Sequence, residues 1–280
     1  MAEPRGAPFD VPRPVAVPIP PSHDSVSLCA ADAEIGGLIP PERRREAESE
    51  LTVRACRLPS GPWDVTNLTT VGAELIGLLI LDGVIWREVG LGGRLSAELL
   101  GPGDILRPWQ FDSRDGLLPV AHAYTVLVPA TLAVLDRRFA TTMLPRWPQV
   151  MTLLLERQTD RAFRLATAQA ISQLTRVDRR IAALLWHLAE RWGRVSGDGV
   201  VVPLPLTHRM LGELVGARRP TVSTALAQLV DRGELSRRRD GTWLLHGAPQ
   251  AAADPPPATP LRSAEAPPAE GMTFIQATPG

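Results

Sequence analysis

Apolar and polar positions change rhythm along this 280-residue chain, and each rhythm predicts a different kind of element. Between about residues 50 and 140 the apolar positions come in short runs: Leu75–Leu81, Val84–Val89, Leu95–Leu100, Ile105–Leu106 and Val126–Leu135. Asp82-Gly83, Gly92-Gly93, Gly101-Pro102-Gly103-Asp104 and Asp115-Gly116 separate them. Short runs divided by glycine turns predict antiparallel strands in a barrel or sandwich. No internal repeat stands out.

From about Pro145 to Leu174 the spacing becomes helical. Pro148 suits a first turn, where its missing N–H costs nothing. Met151, Leu154, Gln158, Ala162, Leu165 and Gln169 recur at steps of three and four. So narrow a stripe suits pairing with an identical helix, the alternative being packing on the chain's own barrel only. A second helix, Val177–Trp192, turns Ile181, Leu184, Leu185 and Leu188 inward.

The stretch from Leu206 to Leu245, LTHRMLGELVGARRPTVSTALAQLVDRGELSRRRDGTWLL, is the most specific. Thr207 is placed to cap a helix whose Leu211, Leu214 and Val215 form an apolar face. Gly212 sits where a second helix must cross closely, and Gly216 ends the first helix at positive φ. Pro220 suits the first turn of that second helix, and Val222, Ala225, Leu226 and Leu229 form its buried stripe. Arg218, Arg219, Thr221, Ser223, Thr224 and Gln228 remain outside. Gly233 closes the helix, and Leu235 and Trp243–Leu245 read as strands around a basic tip, Arg237-Arg238-Arg239-Asp240-Gly241. This is a winged helix-turn-helix, whose second helix enters the major groove of double-stranded DNA. The plainer reading, a helical hairpin with a solvated arginine run, does not account for all these features in one register.

Composition adds little until charge is read locally. A hydrophobic fraction of 44% and a charged fraction of 21% are those of an ordinary soluble protein, and the net charge is zero. All 30 basic residues are arginine, as codon bias in a GC-rich genome would produce. From Arg176 to His246, however, 12 arginines face 7 acidic residues, a local excess of +5 on the segment expected to meet phosphate. The two cysteines, Cys29 and Cys56, lack a CxxC partner and suit a reducing compartment. No signal peptide is evident, and the apolar stretch 75–86 is too short to span a bilayer, so a cytoplasmic protein is expected. Residues 1–45 and 248–280, the latter with Pro255-Pro256-Pro257, are rich in Pro and Ala and are expected to be mostly disordered, the end of the first packing onto the barrel.

In this order, residues 60–247 resemble the Crp/Fnr family of bacterial transcription regulators. The resemblance is carried by LILDGVI at 79–85, LLGPGDIL at 99–106, LAVLDRRF at 132–139 and the reading head. It implies an α+β fold: an antiparallel β-roll or jelly roll of the cyclic-nucleotide-binding type (46–143), with Gly83 in a hairpin turn, a long dimerisation helix (144–174) and a winged helix-turn-helix (175–247). Cyclic-nucleotide-responsive members hold the ribose with a Gly-Glu pair and the phosphate with an Arg-Ser/Thr pair. Here Arg107-Pro108 and about Val120-Ala121-His122 stand at those places, and Arg114 is the only arginine between Arg107 and Arg137. A buried phosphate needs such a partner, so the usual response to cyclic AMP is not expected. A four-cysteine iron–sulfur cluster is excluded by count. His122 and His187 would be the haem ligands, but lone histidines are more often packed or exposed, and neither haem nor metal is expected. Trp63, Trp86 and Trp109 could line an apolar effector pocket or be ordinary core. No cofactor is assigned, and an unidentified small-molecule effector in the roll, or none, is left open.

The resemblance makes Arg219 the leading base reader, with Ser223 and Thr224 beside it. Pro220 replaces the acidic residue that commonly follows that arginine in the family, and Ser223 or Thr224 a second arginine, which implies a different half-site. Thr207, Arg209, Thr221, Arg237, Arg238 and Arg239 are placed for phosphates, and Arg218 is a further DNA-binding residue able to reach either bases or phosphates. The expected protein is a homodimer on a near-palindromic site, with Met151, Leu154, Gln158, Ala162, Leu165 and Gln169 between the copies. Activation of transcription would need a contact with RNA polymerase, which no residue here marks. The rival reading is a scaffold using roll and head for protein contacts; sequence-blind DNA binding would favour it. No nucleophile–base constellation, HExxH motif or P-loop points to an enzyme.

Overall fold

The computed structural model describes residues 24–65, 75–108 and 118–249. The first 23 residues, Trp109, Arg114, Asp115-Gly116 and the Pro255–Pro257 tail lie outside the described residues.

The chain folds as expected into an antiparallel sheet domain, long helices and a helix-turn-helix. In order, the first part comprises β1 (Ser25–Ser27), α1 (Leu28–Ala31), α2 (Ala33–Gly37), α3 (Arg44–Glu50), β2 (Thr52–Leu58) and β3 (Gly61–Trp63). It continues with β4 (Leu75–Leu91), β5 (Arg94–Leu100), β6 (Ile105–Leu106) and β7 (Ala121–Asp136). The sheet runs β1-β2-β7-β4-β5, with β3 added to β7 and β6 to β4. Its interior is filled by Leu58, Trp63, Leu78, Ile80, Ile85, Leu100, Leu106, Tyr124 and Leu132, all buried.

Asp82-Gly83 does not separate two strands, and Gly83 is not in a hairpin turn. The two expected runs, 75–81 and 84–89, are one strand that bends, with its register against β7 shifting between Ile80 and Ile85. Gly83 has φ +92, and a Cβ there would lie 2.4 Å from the Pro129 carbonyl oxygen and 2.5 Å from Ala130 Cα. The glycine is needed because two strands touch at the bend, a bulge that lets one strand serve both faces of the roll. The turn at Gly92-Gly93 is a true hairpin joining β4 to β5.

Over residues 24–45 the chain is ordered rather than mostly disordered, and it packs onto the sheet domain, as expected only of the end of this segment. Leu28, Ile35, Ile39 and Leu51 are at most 2% exposed in a core with Leu79, Leu135, Phe139 and Trp147. Burying side chains of this size stabilises by about 1.5–3 kcal/mol each relative to leaving them exposed, which favours packing of the segment on the sheet. Arg157 then clamps the segment from outside, donating to both Asp32 oxygens at 2.7 and 2.8 Å and to Glu34 at 3.0 Å. Sequence composition missed this because the apolar residues are sparse; their partners lie a hundred residues away. Strands β1, β2 and β3 were also absent from the expected set, since Arg54 and Arg57 interrupt the apolar run of β2.

Helices α4 (Pro148–Ser172) and α5 (Val177–Trp192) follow the predicted spans closely, with Pro148 in the first turn of α4. They are bolted to the roll by buried charge. Asp104, 2% exposed in the Gly101–Asp104 turn, accepts from Arg164 of α4 and Arg191 of α5, each at 2.7 Å, and from the Gly101 N–H at 2.9 Å. Glu98 of β5 is held by Arg87 at 2.6 Å and by Arg161 of α4 at 2.8 and 3.0 Å. The remaining elements are β8 (Arg194–Ser196), β9 (Gly199–Val202), α6 (His208–Val215), α7 (Arg219–Asp231), β10 (Leu235–Arg237) and β11 (Trp243–Leu245). One apolar core joins Val84, Trp86 and Leu99 of the roll to Ile181, Leu185, Leu211, Val215 and Leu226 of the head. Among the described residues no helix is long and apolar enough to cross a membrane.

Candidate nucleic-acid interface

Helix α6 starts at its cap. The Thr207 hydroxyl oxygen accepts from the Met210 N–H at 3.2 Å, satisfying an otherwise orphaned donor. Leu211 and Val215 are buried, and the helix ends at Gly216 with φ 67 and ψ 33, a left-handed cap. Gly212 is required by close approach, although its nearest obstacle is not the second helix. A Cβ there would sit 2.6 Å from the Ala217 carbonyl oxygen in the turn, with Val222 of α7 at 3.5 Å.

Helix α7 presents the expected division. Val222, Ala225, Leu226 and Leu229 are buried, whereas Arg218, Arg219, Thr221, Ser223, Thr224 and Gln228 are exposed. Arg218 is the N-cap residue and Arg219 the first helical one, so both lie at the end where helix dipole and free N–H groups favour an anion. Beside them, β10 and β11 form the wing, registered from Leu235↔Leu245 to Arg237↔Trp243. Its tip is tightened by Asp240, which accepts from the Thr242 N–H at 3.0 Å. Arg237 lies 5.4 Å over the Trp243 ring; Arg238 approaches Asp240 at 3.7 Å, and Arg239 is exposed.

Charge around this face is sorted rather than uniform. Asp178 binds Arg176 and Arg232, Glu234 binds Arg232 and Arg179, and Glu213 binds Arg209. Of the arginines from Arg176 to Arg239, Arg180, Arg194, Arg218, Arg219, Arg237 and Arg239 have no ion pair among the described residues, and the last four lie at the start of α7 and on the wing. Asp178 is 4% exposed; burial pushes its carboxyl up, but Arg176 and Arg232 outweigh this and hold it below the usual carboxylate range.

Two expectations need correction. Arg209 is not a free phosphate ligand: its guanidinium donates to Glu88 of β4 at 2.7 Å and to Glu213 at 2.8 Å, tying α6 to the roll. The arginine is 66% exposed, so the tie is worth at most about 1 kcal/mol and a phosphate could displace it. Nor do the six predicted residues of α4 share one face. Leu154 is buried in the core of its own roll, and Gln158 is half-buried. Met151, Ala162, Leu165 and Gln169 are exposed, and Leu155, 61% exposed, is the leucine of this turn left on the surface with them. The stripe then runs 151, 155, 158, 162, 165, 169, alternating steps of four and three.

Of the three tryptophans considered from the sequence, Trp109 lies outside the described residues. Trp63 packs edge-on to Tyr124 at 5.8 Å in the roll interior, whereas Trp86 belongs to the core shared with the head. The positions aligned with the nucleotide cassette, Arg107-Pro108 and Val120–His122, flank residues outside the described set. His187 pairs with Glu190 at 3.2 Å. Cys29 and Cys56 are free and buried, and burial pushes both thiols up, disfavouring the thiolate.

Sequence reasoning missed two features of the head. Gly197-Asp198-Gly199 makes a hairpin of β8 and β9 that extends the wing into a four-stranded sheet, β10-β11-β9-β8. The glycines flanking an aspartate were a usable signal. His208, which no periodicity marks, lies 2.9 Å from Ser223 and stacks toward Trp243.

Residues 179–246 match the Crp-like helix-turn-helix domain family. The chain is 30% identical over 115 residues to the CRP-like cAMP-activated global transcriptional regulator of Mycobacterium tuberculosis, covering 41% of this chain and 51% of that relative. It therefore spans about half the length of that relative. A CooA variant from Carboxydothermus hydrogenoformans superposes with a TM-score of 0.56 at 18% identity, over 73% of this chain and 87% of that one. The c-di-GMP-responsive global regulator CLP of Xanthomonas campestris does so with a TM-score of 0.53 at 17% identity, over 78% of this chain and all of that one. Residues 179–246 thus match the Crp-like helix-turn-helix domain, and the chain, an antiparallel sheet domain followed by a long helix and a winged helix-turn-helix, shares its fold with those two structures.

Proposed function

We propose that this chain binds double-stranded DNA sequence-specifically as a homodimer and regulates transcription from a near-palindromic site in the cytoplasm. The observation that carries this reading is the polarity of α7. Every residue facing its own core is apolar, while Arg218, Arg219, Thr221, Ser223, Thr224 and Gln228 face out beside the wing arginines. Arg219 reads a base edge, with Ser223 and Thr224 as neighbours. Thr207, Arg218, Thr221 and Arg237–Arg239 hold phosphates, while Arg209 stays tied to Glu88 and Glu213.

The exposed stripe of α4 supports the dimer. Its spacing is that of a coiled-coil seam, and the half-buried Gln158 amide nitrogen has no partner among the described residues. The roll modulates the head through the core they share. The usual response to cyclic AMP is absent from this reading, because Arg107-Pro108 stands where the ribose-binding pair is expected. An unidentified effector of another chemistry, or none, replaces it. Selection of bound duplexes from the organism's own intergenic DNA tests the reading. A recovered near-palindrome, bound by wild type and lost in Arg219→Ala, supports it; equal, weak binding to all sequences would overturn it.

A further inference from the structure

His208 opens α6, yet its ring reaches the face of α7 that carries the proposed base readers. Its Nδ1 and the Ser223 Oγ are 2.9 Å apart. The ring is partly buried and its centroid lies 6.4 Å from that of Trp243, which Arg237 covers at 5.4 Å. Imidazole, serine and wing indole therefore form one contact chain across the interface. Ser223 itself stays exposed, and its hydroxyl has a second neighbour, the Arg219 carbonyl oxygen at 3.2 Å.

A serine hydroxyl has one proton and two lone pairs, so whichever neighbour takes the proton decides what it offers outward. When Nδ1 carries a lone pair, Ser223 donates to it, and the oxygen faces the groove as an acceptor. That suits the exocyclic amines of adenine or cytosine. When the ring is an imidazolium, Nδ1–H donates to Ser223. The serine proton is then free for the Arg219 carbonyl or for an acceptor on guanine or thymine.

We propose that His208 is a specificity-determining residue of the DNA interface, and that its protonation sets whether Ser223 meets a base as acceptor or as donor. The proposal rests on the DNA-reading function above. The charged groups facing the ring are Arg219 from α7 and Arg237 from β10. Burial first, and then these two guanidinium groups, hold His208 below the usual histidine range in the free protein. A phosphate held by Arg237 offsets part of this effect, so DNA binding favours protonation of the ring relative to the free head.

The test measures binding of the full chain to a selected duplex and to all single-base variants of its half-site, by fluorescence anisotropy at pH 5.5 and pH 8.0 and fixed ionic strength. At one position the preference should move from guanine or thymine at low pH toward adenine or cytosine at high pH, by about fivefold. Ser223→Ala should flatten preference at that position at both pH values. His208→Gln should retain specific binding with a preference indifferent to pH. If wild type binds specifically but ranks the bases identically at both pH values, or if all sites strengthen equally on acidification, the proposal is overturned while the DNA-reading function stands. If no duplex is preferred at either pH, both fall.

Discussion

Arg219 and Arg239 are both exposed on the proposed DNA-binding face, yet their loss should read out differently. Arg219 sits at the start of α7, where a guanidinium can bond two acceptors of one guanine. Arg219→Ala should cost about 1–3 kcal/mol on the preferred duplex and little on others. Arg239, at the wing tip, should weaken all sequences alike and lower the salt slope of binding by about one. Anisotropy titrations at two salt concentrations separate the outcomes, and a uniform loss in Arg219→Ala would remove it from base reading. Arg209 belongs to neither class, because Glu88 and Glu213 hold it. Glu88→Gln should release it and make the salt slope steeper by about one phosphate contact; an unchanged slope would mean that Arg209 never reaches DNA. The helical position of Arg209 was legible from the chain. Its captor was not, since Glu88 lies 121 residues earlier on another domain.

At the scale of elements, α4 shows where periodicity misleads. Steps of three and four fit both Leu154 and Leu155, and only the neighbouring sheet decides between them. Leu154→Ala should lower stability by about 2–5 kcal/mol, because it empties a packed site, with the protein still dimeric. Leu155→Asp should leave the melting curve of the subunit almost unchanged and split the dimer. Sedimentation and urea unfolding of the two variants check this, and a Leu155→Asp dimer would remove α4 from the interface. The bend of β4 is the second case. Glycine after aspartate signals a turn, but here the strand continues, because partner strand β7 stays paired on both sides of the bulge. Gly83→Ala should destabilise by about 1–3 kcal/mol, read as a lower urea midpoint.

Across the whole molecule, buried carboxylates hold the parts together and should set its acid limit. Asp104 joins the roll to α4 and α5, and Asp104→Ala should lower unfolding free energy by about 3 kcal/mol by stranding two arginines. Burial pushes the Asp32 carboxyl up, but Arg157 and the Ile35 and Glu34 N–H groups bring it below the ordinary range, as arginines do for Asp178. A folded pKa below the unfolded one means that the native state binds fewer protons. This stabilisation is therefore full above about pH 4 and drains as acidity increases through the folded values. Asp32→Asn and Asp178→Asn should lower stability at neutral pH and flatten its fall in acid; parallel curves for wild type and variants would exclude these groups.

What the chain alone determined was local and periodic: strands between glycine turns, two long helices, and a head whose capping threonine, turn glycines and outward-facing arginines lie within forty residues. These are legible because backbone preference and side-chain period act over a few neighbours. Tertiary structure alone decided which face of α4 is exposed, which residues of 24–51 enter the core, that β4 bends without ending, and that Glu88 restrains Arg209. Each depends on contacts between positions far apart in the chain, where burial and charge pairing depend on what arrives from elsewhere in the fold.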